Sequence, residues 1–382
     1  MHNPFVYGEV VPSAAFVNRV VELDRLVRDL AEGQKVFLIS PRRYGKSSLI
    51  RQALSAVSAR HRALTIEVTV SSFSSYVAFL EGYARALVAA ETRWDRARSW
   101  LKEAIRSART EIRYTPGESP LGSLTVSFPA VKTERDVSRL AQDVFALPGR
   151  LAEVRGRRVV VALDEFQAIA EFNGGSVEHA MRAAVQHQRD VGYVFAGSEP
   201  SLMERMLTPK RPFYKAGPVM RLEKIPADEF AAAIDSRFKR SGFKAENGLA
   251  DAIVDLAGNL PYDVQRLAHE TWDEVHAGGG KRATLDHLHQ ALSRLLSEQE
   301  TMFEALWQRL TLPQRAVLRA VVIESGHSVL SEDVRTRHRL GGTSTIQAAL
   351  NALVRDDLIS RDGRRYTVVD SLLREWVARH TF

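Results

Sequence analysis

Short runs of apolar, largely β-branched residues punctuate the first 225 positions: 35–39 (KVFLI), 64–70 (LTIEVTV), 159–163 (VVVAL), 193–196 (YVFA) and 219–222 (VMRL). Runs of this length, bounded by turn residues, predict strands. Segments of helical period lie between them, at 47–59 and 178–188. Continuous apolar strands alternating with helices predict an α/β fold: a parallel sheet covered on both faces. Residues 72–150 interrupt the alternation with a helical stretch holding Trp94 and Trp100, then a turn-rich stretch at 115–123 flanked by short runs able to pair as a hairpin. This block is expected to be an insertion.

After Pro226 the pattern turns helical, over 227–240 and 249–276, and Gly278 to Gly280 break the chain before another helix. A small helical lid domain at 226–300 is the expectation. The last 80 or so residues differ. Thr311-Leu312-Pro313 open a helix, Ser331 precedes a short one, Gly341-Gly342 make a turn, and 343–354 forms the next helix. Strands at 358–360 and 366–369 flank an Asp362-Gly363 turn signal, and a helix at 371–379 closes the chain. Helix, helix, turn, helix, hairpin is the order of a winged helix-turn-helix, placed at 301–382.

Composition adds bounds. With 45% hydrophobic and 26% charged residues the chain reads as globular, and a net charge of +7 permits acidic partners without demanding them. The absence of cysteine excludes disulfides, thiolate metal sites and a cysteine nucleophile, which fits a reducing cytoplasm. No secretion signal or bilayer-length apolar stretch is visible, so no membrane is expected. His287 and His289 stand two apart on an expected helix and therefore point to different sides, which argues against a shared zinc site.

The candidate chemistry begins at 36–50, VFLISPRRYGKSSLI. A strand runs into Ser40-Pro41-Arg42-Arg43-Tyr44-Gly45-Lys46-Ser47-Ser48 and then a helix: the phosphate-loop pattern with serine in place of its first glycine. Backbone N–H groups of such a loop and the helix N-terminus form an anion cradle, Lys46 adds a positive charge between β- and γ-phosphate, and the Ser47 hydroxyl faces Mg²⁺. In the empty site Lys46 is expected to face solvent. The strand at 159–163 ends in Asp164 and Glu165, on the rim where parallel sheets bind ligands. Asp164 suits the Mg²⁺ shell and Glu165 suits polarising an attacking water. Ser198 ends a third strand and senses the γ-phosphate if that strand lies between the other two. Arg42 and Arg43 read equally as phosphate guards, contacts to a neighbouring subunit or solvated loop-tip charges. Phe166 and Gln167 read as helix-start packing.

Over most of its length the chain resembles the archaeal ATPase family, related to AAA+ and STAND nucleotide switches. The resemblance is carried by Asn3-Pro4-Phe5 with Tyr7-Gly8, Phe16 to Arg19 with Glu22-Leu23, Ser40 to Ser48, Leu163 to Phe166, Gly197-Ser198 with Ser201 to Met203, Pro212 to Tyr214 and Gly258 to Pro261. It implies ATP and Mg²⁺ as cofactors, Asn18 and Arg19 near adenine, Ser198 as first sensor, and Pro261 in a lid packing over the nucleotide. Two departures stand out. Ser40 replaces a glycine and disfavours a positive φ. Lys215 stands where the family has arginine, leaving Arg205, Arg211 and Arg221 as unranked arginine-finger candidates.

Residues 301–382 hold twelve arginines and nine acids, yet the expected recognition helix offers Thr345, Gln347 and Asn351 and no basic residue before Arg355. Phosphate contact through Arg361, Arg364 and Arg365 fits better than base readout. A protein latch is an equal reading of the same module. Three functions follow: a slowly hydrolysing ATP-dependent switch, a DNA-associated ATPase oligomer, and a non-hydrolysing nucleotide-gated protein-interaction scaffold.

Overall fold

The computed structural model describes residues 2–8, 16–90, 100–101, 105, 110–115, 123–172 and 176–380. Trp94 and the turn at 116–122 lie outside the described residues. The chain divides into two compact units, one of residues 10–224 and the other of residues 1–9 with 225–382.

The first unit runs α1 (Val20–Ala31), β1 (Lys35–Ile39), α2 (Lys46–His61), β2 (Leu64–Thr69), α3 (Tyr76–Ala89), β3 (Glu111–Thr115), β4 (Ser123–Ser127), α4 (Glu134–Arg155), β5 (Val159–Asp164), α5 (Ser176–Val185), β6 (Val191–Gly197), α6 (Pro200–Met206) and β7 (Val219–Arg221). Five strands form one sheet in the order β2-β5-β6-β1-β7, and every pairing in it is parallel. The central strands β5 and β6 are buried at every position, which is why they read as unbroken apolar runs rather than as alternation. Alternate side chains serve opposite cores. Phe37 and Ile39 of β1 join α3, α4 and α5 on one face, while Val36 and Leu38 join α1 and α2 on the other.

The block at 72–150 is therefore not a single insertion. Helices α3 and α4 bury Phe79, Leu80, Tyr83, Val144 and Phe145 in the sheet's own core, and among the described residues the antiparallel hairpin β3–β4 is what matches the expected excursion. Helix α4 continues through Pro148 to Arg155.

The second unit comprises α7 (Ala227–Arg240), β8 (Lys244–Ala245), α8 (Leu249–Leu256), α9 (Pro261–Ala277), β9 (Arg282–Ala283), α10 (Leu285–Arg309), α11 (Leu312–Ile323), α12 (Glu332–Arg337), α13 (Thr343–Arg355), β10 (Ile359–Asp362), β11 (Arg365–Val368) and α14 (Ser371–His380). Residues 2–8 belong here rather than with the nucleotide-binding domain expected over 1–225. Phe5 packs on Phe238 with ring centroids 5.0 Å apart, Asn3 donates to Asp273 at 2.8 Å, and the Tyr7 hydroxyl donates to Glu270 at 2.5 Å.

Two further expectations change. The helical stretch at 249–276 is two helices, because Gly258 and Asn259 take positive φ and Pro261 starts α9 afresh. The expected join at 300 lies within one uninterrupted helix, since α10 runs from 285 to 309. The wing turns one residue later than expected. Asp362 pairs with Arg365, so Gly363, at φ 57°, is the first central residue, the position a type II′ turn reserves for glycine. Helix α14 packs back onto α10: Trp376 meets Phe303 and Trp307 at 6.0 and 5.9 Å and donates to Glu300 at 3.0 Å. Among the described residues no helix is long and apolar enough to cross a membrane.

Candidate functional site

The carboxyl ends of β1, β5 and β6 are adjacent in the sheet, with β6 between the other two. The register pairs Ile39 with Gly197 and Leu163 with Phe195. Residues following these strands must therefore converge on one rim. The loop after β1 enters α2 through Gly45 at φ 86°, a left-handed conformation natural to glycine, and Gly45 supplies no capping side chain. The first-turn N–H groups of a helix have no intrahelical acceptor, so this start is suited to an anion. Positive φ falls at Arg43 and Gly45 and not at Ser40. Ser40 is buried, its N–H donating to the Gly197 carbonyl at 3.2 Å, so serine is accommodated where the pattern has glycine.

Lys46 does not face solvent as expected. It is 6% exposed and its ammonium is clasped by Asp164 and, at 3.1 Å, by Glu165 Oε1. Two carboxylates at the end of one strand offer it more than water does. The Ser47 hydroxyl donates to Asp164 Oδ2 at 2.9 Å. A hydroxyl and a carboxylate side by side at an anion-binding helix start are hard oxygen donors of the kind Mg²⁺ takes, with phosphate oxygens and waters completing the shell. Among the described residues no cluster of three or more His, Asp or Glu could hold a metal on its own.

Glu165 sits at φ 52° immediately after β5. Its Oε2 accepts from the Ser198 hydroxyl at 2.5 Å and from Gln167 Nε2 at 2.6 Å. Burial alone would push its carboxyl up, but the bonds from Ser198 and Gln167 and the Lys46 charge outweigh that and hold it below the ordinary value. A cavity of about 280 Å³ opens beside Glu165, lined among others by Arg42, Gln167, Ser198 and Glu199.

The remaining expected residues fall in different places. Arg19 is buried, with its guanidinium donating to the carbonyl of Tyr44 at 3.4 Å, to that of Glu223, and to the Glu22 carboxylate at 2.8 Å. It braces the loop's backbone, and Asn18 Oδ1 accepts the Arg19 N–H at 2.6 Å. Pro41, Arg42, Arg43 and Ser48 lie along the loop and the first turn of α2, with Arg42 half exposed, 4.0 Å from Glu199. Pro261 stands at the start of α9, in the other unit. Of the arginine candidates, Arg211 pairs with the fully buried Glu178 at 2.5 Å and Arg221 with Glu204 at 3.0 Å. Arg205 is exposed on α6, and Lys215 lies over the Tyr214 ring at 5.4 Å. Gln167, read from the sequence as helix-start packing, also donates to Glu165 Oε2 at 2.6 Å, a contact the sequence did not point to. Its only signal was its place two residues after Glu165, on the short turn Phe166–Glu171.

Residues 301–379 match the family described as "Probable winged helix domain". The whole chain is similar in structure to the Walker-type ATPase PABY2304 of Pyrococcus abyssi, with a TM-score of 0.63, 16% identity and coverage of 98% of this chain and 99% of that one. It is also similar to the ORC2 protein of Aeropyrum pernix, solved as ADPNP–ADP complexes, with a TM-score of 0.57, 14% identity and 98% of both chains covered. The chain has the fold of a P-loop ATPase with a C-terminal winged helix. The ORC1 protein of Aeropyrum pernix, solved in complex with DNA, shares this P-loop ATPase fold with a TM-score of 0.50 and 13% identity over 98% of this chain and 95% of that one. No curated protein matches the sequence.

Proposed function

We propose that the protein binds MgATP at the rim of its parallel sheet, hydrolyses it slowly, and uses the bound nucleotide as a switch. The observation that carries this reading is the convergence of Lys46, Ser47, Asp164, Glu165 and Ser198 from three neighbouring strands. Arriving phosphates compete with the two carboxylates for the Lys46 ammonium, and its move releases Glu165 Oε1. That oxygen is then free to accept a proton from water, while Oε2 stays held by Ser198 and Gln167. Mg²⁺, when bound at Ser47 and Asp164, supplies neutralisation of phosphate charge. Arg19 keeps the loop's shape by fixing the Tyr44 carbonyl.

The similarity to a protein solved in complex with DNA supports a DNA contact for this chain, and the arginines of the wing, with no basic residue on α13 before Arg355, make weak, sequence-tolerant phosphate contact through the winged helix our reading of it. The second reading, a non-hydrolysing nucleotide-gated scaffold, is favoured by one observation: Arg211 and Arg221 are already paired within the chain. Steady-state ATPase measurements with and without DNA separate the readings. Glu165→Gln should retain ATP binding and lose about 10²-fold or more in turnover. Turnover absent from the wild type would leave the scaffold, and equal turnover in variant and wild type would remove Glu165 as the base.

A further inference from the structure

We infer that Gln167 is a positioning residue for the hydrolytic water, holding Glu165 so that one defined carboxylate oxygen faces the phosphates. The inference rests on the reading of Glu165 as general base. Gln167 is 6% exposed and its Nε2 donates to Glu165 Oε2 at 2.6 Å, with Glu199 Oε1 at 3.5 Å on its other side. Only the amide nitrogen can face two carboxylates, so the orientation of this amide is fixed by its neighbours. Glu165 thereby has an asymmetric carboxyl group. Oε2 takes two hydrogen bonds, from Gln167 and Ser198, whereas Oε1 meets only Lys46 among these donors.

The chain makes room for this amide at a cost. Gln167 Oε1 is buried without a hydrogen-bond partner, a penalty a packing residue such as leucine would not incur. It lies where β6 has no side chain, since a Cβ on Gly197 would stand 2.6 Å from Gln167 Oε1 and 2.3 Å from Met203 Cγ. A buried glutamine tolerated with an unpaired oxygen, in a space kept open by a glycine, points to the work its nitrogen performs. That work is rotational. With Lys46 drawn away by phosphate, Ser198 alone would leave the Glu165 side chain free to turn about its Oε2 contact, and two donors on one oxygen stop the turn. Misplacement of a base by about 1 Å costs on the order of a hundredfold in rate.

Gln167→Met keeps the shape and removes the donor, while Gln167→Leu fills the space with a branched apolar side chain and removes it too. Both should lower kcat by roughly tenfold to a hundredfold, with the KM for ATP and the affinity for ADP, read by calorimetry on the full chain, within about twofold of wild type. The double variant Glu165→Gln with Gln167→Met should be no slower than Glu165→Gln alone, because Gln167 acts through Glu165. Unchanged kcat in both single variants overturns the inference. So does a loss of ADP affinity that parallels kcat, or full additivity in the double variant, since either assigns Gln167 a structural role. If Glu165→Gln itself keeps wild-type turnover, the base reading falls and the positioning role with it.

Discussion

Lys46 shows how a single side chain changes the arithmetic of a site. Held between Asp164 and Glu165 and almost fully buried, it is both the expected phosphate ligand and the counter-ion of two acids. Replacing it leaves two adjacent carboxylates without a counter-ion, and breaking a buried pair from one side costs on the order of 3 kcal/mol. Lys46→Ala should therefore abolish ATP binding and also lower the thermal midpoint, which calorimetry and thermal unfolding read separately. Near-native ATP affinity would overturn the phosphate-loop assignment. Asp164→Ala acts differently: it should reduce ATP affinity to the value measured without Mg²⁺, and a Mg²⁺-dependent gain that survives in the variant would remove Asp164 from the metal shell. The convergence of these residues was legible in the sequence because strand-end acids and a Gly-Lys-Ser turn have few other uses together. The Gln167 contact was not, since a polar residue two positions after an acid reads as the start of the next turn until β6 is seen beside β5.

At the level of elements, legibility followed burial. Strands β5 and β6, buried on both faces, announce themselves as apolar runs, and their neighbours follow from strand-helix alternation. Helices α3 and α4 were read as insertion because the block at 72–150 interrupts the strand-helix alternation, yet both pack into the sheet's core and α4 stays helical through Pro148. The split between α8 and α9 depended on Asn259 taking positive φ beside Gly258, which periodicity alone does not reveal. The end of β6 offers a direct test of element packing. A methyl group on Gly197 meets Met203 and Gln167 below van der Waals distance, and overpacking of this kind costs about 1–3 kcal/mol. Gly197→Ala should lower stability by that order in denaturant unfolding and reduce turnover by displacing Gln167. Wild-type values of both would show that Met203 alone yields.

Over the whole molecule, the charge presented by the winged helix governs what it can touch. Its charge is less available than the count of arginines suggests. Arg337 is bound by Glu324 and Asp333 at 2.9 and 2.7 Å, and Arg335 reaches Thr343 at 3.3 Å. The wing remains: Arg361 lies over Tyr366 at 5.8 Å, Arg365 donates to the Ser325 carbonyl at 3.1 Å, and Arg364 stands exposed at the turn. Helix α13 exposes Thr343, Ser344, Thr345 and Asn351, a face poor in groups for bidentate base readout. Truncation after Glu300 is a poor test of a latch. It cuts α10 mid-helix and removes Trp376 from Phe303 and Trp307, and it removes Arg374 from the Asp255 and Leu256 carbonyls at the end of α8. Surface substitution leaves that packing intact. Changing Arg361, Arg364 and Arg365 together to Ala should weaken binding of every duplex alike and flatten the log–log salt dependence by up to about three units of slope. Fluorescence anisotropy across a salt series reads both quantities on wild type and variant. A wild-type slope near zero excludes phosphate contact and leaves the module to a protein partner. A steep slope unchanged in the variant moves the DNA contact away from the wing.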